Sequence, residues 1–150
     1  MAYWLLKSEP STFSIDHLKA KKVEHWDGVR NFQARNNLRA MKVGEQAFFY
    51  HSNADPIGIA GICKVAKPAY PDHSQFDPDS KYFDPKATPD EPRWFMPDVR
   101  FVRKFRRLVT LAELREVPGL EDMALLRASR LSVQPVTDEQ WAIVCALTDG

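Results

Sequence analysis

Trp26 is the residue whose setting most invites chemistry. It lies between His25 and Asp27-Gly28 rather than inside an apolar run, which reads as a turn, where an indole presents a flat π-face instead of filling a core. Such a face stacks on a planar ring, a contact worth roughly 1–3 kcal/mol per nucleobase. The competing reading is a core tryptophan, since large aromatics are mostly buried. Trp4, inside Tyr3-Trp4-Leu5-Leu6, and Trp141, on a helical face with Val144 and Leu147, are read as core. A stacked base also has an edge that needs hydrogen bonds. Lys7, Ser8 and Glu9 close one apolar run, Tyr50, His51 and Ser52 close a second, and Ser132 opens a third. At such strand ends main-chain groups leave the ladder, and with the hydroxyls they make a polar rim if the ends converge. The alternative for Ser8 is a turn held by its hydroxyl. Asn31 both donates and accepts, as pairing to a Watson–Crick edge requires, and is equally a helix cap. Arg35 and Arg39, four apart on one helix face, and Arg30 near the proposed pocket are candidates for phosphate contact, which positions a nucleic acid without reading sequence. Solvent exposure or pairing with acidic groups between Asp72 and Glu91 is the alternative.

The elements that must position these residues follow from local pattern. Tyr3 to Leu6 reads as a buried strand ended by Ser8-Glu9-Pro10. Ser14 caps a short helix over Ile15 to Ala20, with Asp16 favouring its positive end. Asn31 starts a second helix over Phe32 to Met41, with Gly44 just beyond it. Gln46 to Tyr50 and Ile57 to Ala66 form a hairpin through Asn53-Ala54-Asp55-Pro56. Pro68 to Pro97 is rich in Pro and Asp and carries Tyr70, Phe76, Tyr82, Phe83, Trp94 and Phe95, which predicts a long, ordered, packed loop. Val99 to Val109 is the next strand, and Thr110 to Glu113 forms a capping box. Leu131 to Val136 is the last strand, and Thr137 to Gln140 is a second capping box opening the final helix. Strands outnumber helices without βαβ alternation, so the fold class is α+β, a curled mixed sheet flanked by short helices in one domain.

Composition narrows the chemistry. The chain has 150 residues, with 21 Lys+Arg against 20 Asp+Glu, so local patches and not net charge must carry any case for a polyanion. Lys19, Lys21 and Lys22 form one basic cluster, Arg30, Arg35, Arg39 and Lys42 a second, and Arg100 to Arg107 a third. Cys63 and Cys145 sit in apolar surroundings and read as small buried hydrophobes. No signal pattern or run of roughly 20 apolar residues occurs, and a cytoplasmic protein without membrane contact is expected. Neither GxxxxGK[ST] nor GxGxxG is present, which argues against nucleotide-driven chemistry. The four histidines show no metal-ligand spacing. No catalytic residue, metal or cofactor is therefore expected, although Ser8, Glu9, His51 and Ser52 could meet in space.

Three segments together resemble the EVE domain family, a branch of the PUA-like superfamily similar to YTH domains. They are Tyr3 to Pro10 (YWLLKSEP), Trp26 to Asn36 (WDGVRNFQARN) and Arg130 to Val136 (RLSVQPV), supported by Phe48 to Ser52 and Ala69 to Asp72. The resemblance implies a PUA-like pseudobarrel, a pocket that accepts a nucleobase, no catalysis, and a modified base held between tryptophans. By position Trp26 resembles one wall and Trp94 the second. It implies RNA or modified-cytosine DNA as ligand without choosing between them. Asn37 stands where many relatives carry an aromatic or aliphatic residue. The reading is a monomeric nucleic-acid reader module. Its competitors are an enzyme using Glu9 or His51 as general base, and a nucleoside or small-molecule pocket indifferent to phosphates.

Overall fold

The computed structural model describes residues 1–128 and 130–148. Among the described residues there are six strands: β1 (Tyr3–Ser8), β2 (Val23–His25), β3 (Gln46–His51), β4 (Gly58–Pro71), β5 (Phe95–Thr110) and β6 (Val133–Val136). They join in the order β2-β5-β4-β3-β1-β6. Only β1 with β3 is parallel; the other pairs are antiparallel. Register shifts at Phe49/Tyr50 and at four places between β4 and β5 bend the sheet, because each unpaired residue adds local twist. The result is a curled mixed sheet whose ladders do not close into a barrel.

Alternation puts a core on each face. Trp4, Leu6, Phe49 and Cys63 pack under helices α1 (Ile15–Lys21) and α2 (Phe32–Ala40). Leu5, Phe48, Tyr50 and Ile62 pack on the other face under α3 (Leu111–Arg115), α4 (Ala124–Arg127) and α5 (Asp138–Thr148). Trp141 closes the second core by stacking on Phe48 and Tyr3, with ring centroids 4.0 and 4.2 Å away. Trp4 lies in the first, its indole donating to Glu45 Oε1 at 3.0 Å.

Helix starts follow the expected chemistry. Ser14 and His17 satisfy each other's backbone amides at α1, Asn31 Oδ1 accepts from Ala34 N at α2, and Thr137 and Gln140 exchange bonds before α5. Thr110 caps α3, but Glu113 turns away to Arg107 at 2.6 Å, so the reciprocal half of that box is absent. Asn37, the departure from the family pattern, donates to Val133 O at 2.8 Å and ties α2 to β6.

Other expectations are corrected. The segment 68–97 is not one loop: β4 runs to Pro71, a 3-10 turn spans His73–Phe76, and β5 begins at Phe95. Strand β2 and helix α4 had no sequence signal, β6 starts at Val133, and Cys145 is half-buried. Cys63 is buried, and burial pushes its thiol up to about 12. Among the described residues no helix is long and apolar enough to cross a membrane.

Candidate functional site

A cavity of about 770 Å³ opens where the strand ends converge. The parallel pair β1 and β3 brings Ser8 level with His51, and Ser52 N donates to Ser8 O at 2.9 Å just beyond the ladder. On the other side of β1, Lys7 N donates to Ser132 O at 3.0 Å. Lys7, Ser8, Glu9, Ser52 and Ser132 consequently line one rim. Ser8 Oγ donates to Phe13 O at 2.6 Å, so this hydroxyl holds its turn as well as facing the cavity. Burial holds the Lys7 ammonium below the ordinary lysine value.

Trp26 forms the aromatic part of the wall and is also core, so the two readings weighed for it are not alternatives. It is 8% exposed, stands edge-on to Phe49 and Phe13 at 5.4 and 6.3 Å between centroids, and lines the cavity. Its backbone N–H donates to Pro97 O at 2.9 Å, which ties the turn after β2 to β5.

Gly28 follows with φ +81, a conformation that glycine adopts without Cβ strain. A Cβ there would lie 2.7 Å from the Tyr82 ring. Tyr82 and Phe13, not Trp94, accompany Trp26 as aromatics at this cavity. Trp94 is 6% exposed, donates to Asp84 Oδ2 at 2.7 Å and stacks on Phe32 at 4.9 Å. Its placement as a pocket wall is corrected: it anchors the segment that carries Tyr82. The sequence held a signal for Tyr82, an aromatic in a Pro- and Asp-rich stretch, but nothing to rank it above its neighbours.

Behind this wall lies a saturated polar network. Asp72 is buried and accepts from Gly28 N at 2.8 Å, Ser74 N at 2.8 Å, Ser74 Oγ at 2.5 Å and Arg30 Nη1 at 3.2 Å. Burial pushes its carboxyl pKa up, but the donors outweigh burial and hold it below the ordinary range. Arg30 spends five donor contacts on Tyr82 O, Val29 O, Asp72 and Ser74, which matches the five N–H groups of a guanidinium. It lines the cavity, but as a strut with no N–H left for a phosphate. Gln75 donates to Asp72 O and Trp94 O and accepts from Arg93 N and Trp94 N, sewing the 3-10 turn to the approach of β5.

Several remaining candidates lie elsewhere. Tyr50 is 3% exposed in the core of the opposite face, because a residue next to Phe49 must point the other way. His51 accepts from Ile15 N through Nε2 at 3.1 Å. Burial, opposed by Asp16, lowers its pKa. Asn31 caps α2 and lines a shallower hollow of about 370 Å³ with Gln33, Ala128 and Leu131. Arg35 lies over Phe32, 4.8 Å from its centroid, and donates to Arg93 O at 2.9 Å, while Arg39 lies over Phe95. Neither lines the cavity. The cations that do, besides Lys7 and Arg30, are Lys21, Lys81 and Arg130. Lys21 pairs with Glu24 at 2.6 Å, Lys81 lies beside Tyr82, and Arg130 is shared with the shallower hollow.

The EVE domain family model matches residues 2–147. Human thymocyte nuclear protein 1 is 47% identical over 167 residues, covering 99% of this chain and 74% of that protein. A hypothetical protein from Leishmania major superposes with TM-score 0.96 at 48% identity, covering 99% of this chain and 95% of that one. Human THYN1 protein in complex with 5-methylcytosine-containing DNA superposes with TM-score 0.94 at 47% identity, covering 100% of this chain and 99% of that one. The cytoplasmic expectation is withdrawn, because relatives matched over nearly the whole chain are named nuclear proteins; lack of a signal pattern does not choose between compartments.

Proposed function

The chain belongs to the EVE domain family, and on that premise we propose that it is a nucleic-acid-binding reader module that receives one extruded, modified base in the cavity beside Trp26. The observation that carries the reading is the convergence of the ends of β1 and β3 and the approach to β6 on a cavity that also holds Trp26 and Tyr82. An unstacked base needs an aromatic or apolar surface and a hydrogen-bonding edge at once, and a cavity of this kind supplies both. Ser8, Ser52, Ser132 and the neighbouring main chain read the edge, and Trp26 bounds the ring.

The ligand class follows the human relative, which was captured with DNA containing 5-methylcytosine. Modified-cytosine DNA is therefore the first ligand we assign, with RNA as the comparison. Lys7, Lys81 and Arg130 replace Arg30, Arg35 and Arg39 as the groups that meet phosphates, because they line the cavity and Arg30 has its N–H groups engaged. Turnover is not part of the reading. Glu9 accepts from Asn53 Nδ2 at 3.0 Å and His51 is engaged at the start of α1, so the two groups named for general-base work are both committed to holding turns.

Fluorescence anisotropy at one fixed salt concentration tests the proposal, using DNA and RNA oligonucleotides that differ only in 5-methylation of one cytosine. Preference for methylated DNA supports it. Equal affinity for all four oligonucleotides removes the reader assignment, and competition by the free nucleoside as tight as by the oligonucleotide favours a small-molecule pocket instead. We assign the module to a single domain acting as a monomer, which sedimentation of the free and DNA-bound chain checks.

A further inference from the structure

We propose that His25, Asp27 and His73 form a binding site for a late first-row divalent cation of the zinc class, at the edge of the cavity, which His25 and Asp27 also line. One donor atom from each of the three lies within 4.8 Å of the others, although His73 is far from the other two in sequence. His25 ends β2, Asp27 lies in the turn behind it, and His73 opens the 3-10 turn 48 residues later. Two imidazoles and one carboxylate are a donor set that suits zinc, copper(II) or nickel better than calcium or magnesium, which favour oxygen.

The surroundings are arranged as such a site requires. Glu24 Oε1 lies 3.1 Å from His25 Nδ1. The same oxygen accepts from His25 N at 3.0 Å, which places a carboxylate against Nδ1 and leaves Nε2 to face Asp27. That Nε2 is 3.9 Å from Asp27 Oδ2. The His25 and His73 rings meet at 5.0 Å between centroids and 82°, crossed rather than stacked. Among the described residues, no donor or acceptor is bonded to the His73 ring nitrogens. The backbone between the donors is held on both sides: Gly28 N donates to Asp72 Oδ2, one residue before His73, and Trp26 N donates to Pro97 O. Metal bonds of about 2.0–2.1 Å in a tetrahedron separate donors by roughly 3.4 Å, so the His25–Asp27 pair needs only a small side-chain rotation.

Three protein donors leave at least one coordination position for water or an outside ligand. Asp27 and Glu24 are acidic groups close to His25, and Glu24 also pairs with Lys21.

Tag-free protein, stripped with chelator and titrated with zinc by calorimetry, tests the site, and cobalt(II) serves as a spectroscopic probe. One zinc per chain and intense visible cobalt absorption of four- or five-coordinate type are expected. His25→Ala and His73→Ala should each weaken binding at least tenfold. Glu24→Gln, which removes the negative charge beside His25 together with the pairing to Lys21, should weaken it less than loss of a histidine. Circular dichroism of each variant separates lost ligation from lost fold. Absence of saturable binding, or binding that survives His73→Ala unchanged in a folded protein, overturns the proposal. Nucleic-acid affinity is measured separately with stripped protein, so failure of the cation site leaves the reader assignment standing.

Discussion

Trp26 meets Phe49 edge to face, 5.4 Å between centroids and 89° between planes, so one part of the indole is locked into the core beneath α1 while another borders the cavity. A residue held this way is rigid before any ligand arrives. Rigidity lowers the ordering cost of binding. It also makes the same side chain matter twice.

Trp26→Ala should therefore weaken binding of the preferred oligonucleotide about ten- to a hundredfold, the loss of roughly 1–3 kcal/mol of stacking. It should also cost about 3 kcal/mol of stability, since the side chain is largely buried. Trp26→Phe should lose distinctly less of both. Denaturant unfolding and anisotropy on each variant check this, and wild-type affinity in a folded Trp26→Ala protein would remove Trp26 from the site.

Gly28→Ala tests the coupling of the turn to Tyr82. The new methyl meets both a backbone at φ +81 and the Tyr82 ring 2.7 Å away, so a loss of about 1–3 kcal/mol is expected. In the Tyr82→Ala background the steric part disappears and only the backbone part remains. Equal cost in both backgrounds would mean that Tyr82 does not rest on Gly28.

Asp72 gives a pH signature. Burial alone would raise its pKa, but the Ser74, Gly28 and Arg30 donors lower it below the unfolded value of about 3.9. Its contribution to stability is present above that unfolded value and is lost as pH falls through the lower folded value. Asp72→Asn should be less stable at neutral pH, and its deficit relative to wild type should narrow below about pH 4. Chemical denaturation between pH 3 and pH 7 would show it, on scales of about that width; a deficit constant with pH would refute it.

The salt dependence distinguishes two sets of cations. Lys81→Ala with Arg130→Ala should shallow the slope of log affinity against log salt by up to about two phosphate contacts. Arg35→Ala with Arg39→Ala should leave that slope unchanged, because those guanidinium groups lie over Phe32 and Phe95 away from the opening. The reverse result would move the nucleic-acid path onto α2.

What the sequence determined by itself were the features in which cause and effect lie within a few residues. Tyr3 to Leu6 alternates between two cores, Ser14, Asn31 and Thr137 stand where free helix amides need acceptors, and Lys7 to Glu9, Tyr50 to Ser52 and Ser132 mark strand ends. Even Trp26 was legible as a turn residue, because its neighbours are polar. Tertiary structure decided the matters that depend on partners far away in the chain. Three residues, Val23 to His25, carry no period of their own and become β2 only by pairing with β5. Trp94 and Tyr82 are both aromatics in one segment, and only the Asp84 acceptor and the Phe32 stack bury the first while the second stays at the cavity. Arg30 looks free in the sequence until Tyr82 O, Ser74 and Asp72, more than forty residues later, take up its donors. A local pattern records what a residue offers; whether the offer is already taken is a property of distances between segments, which only folding sets.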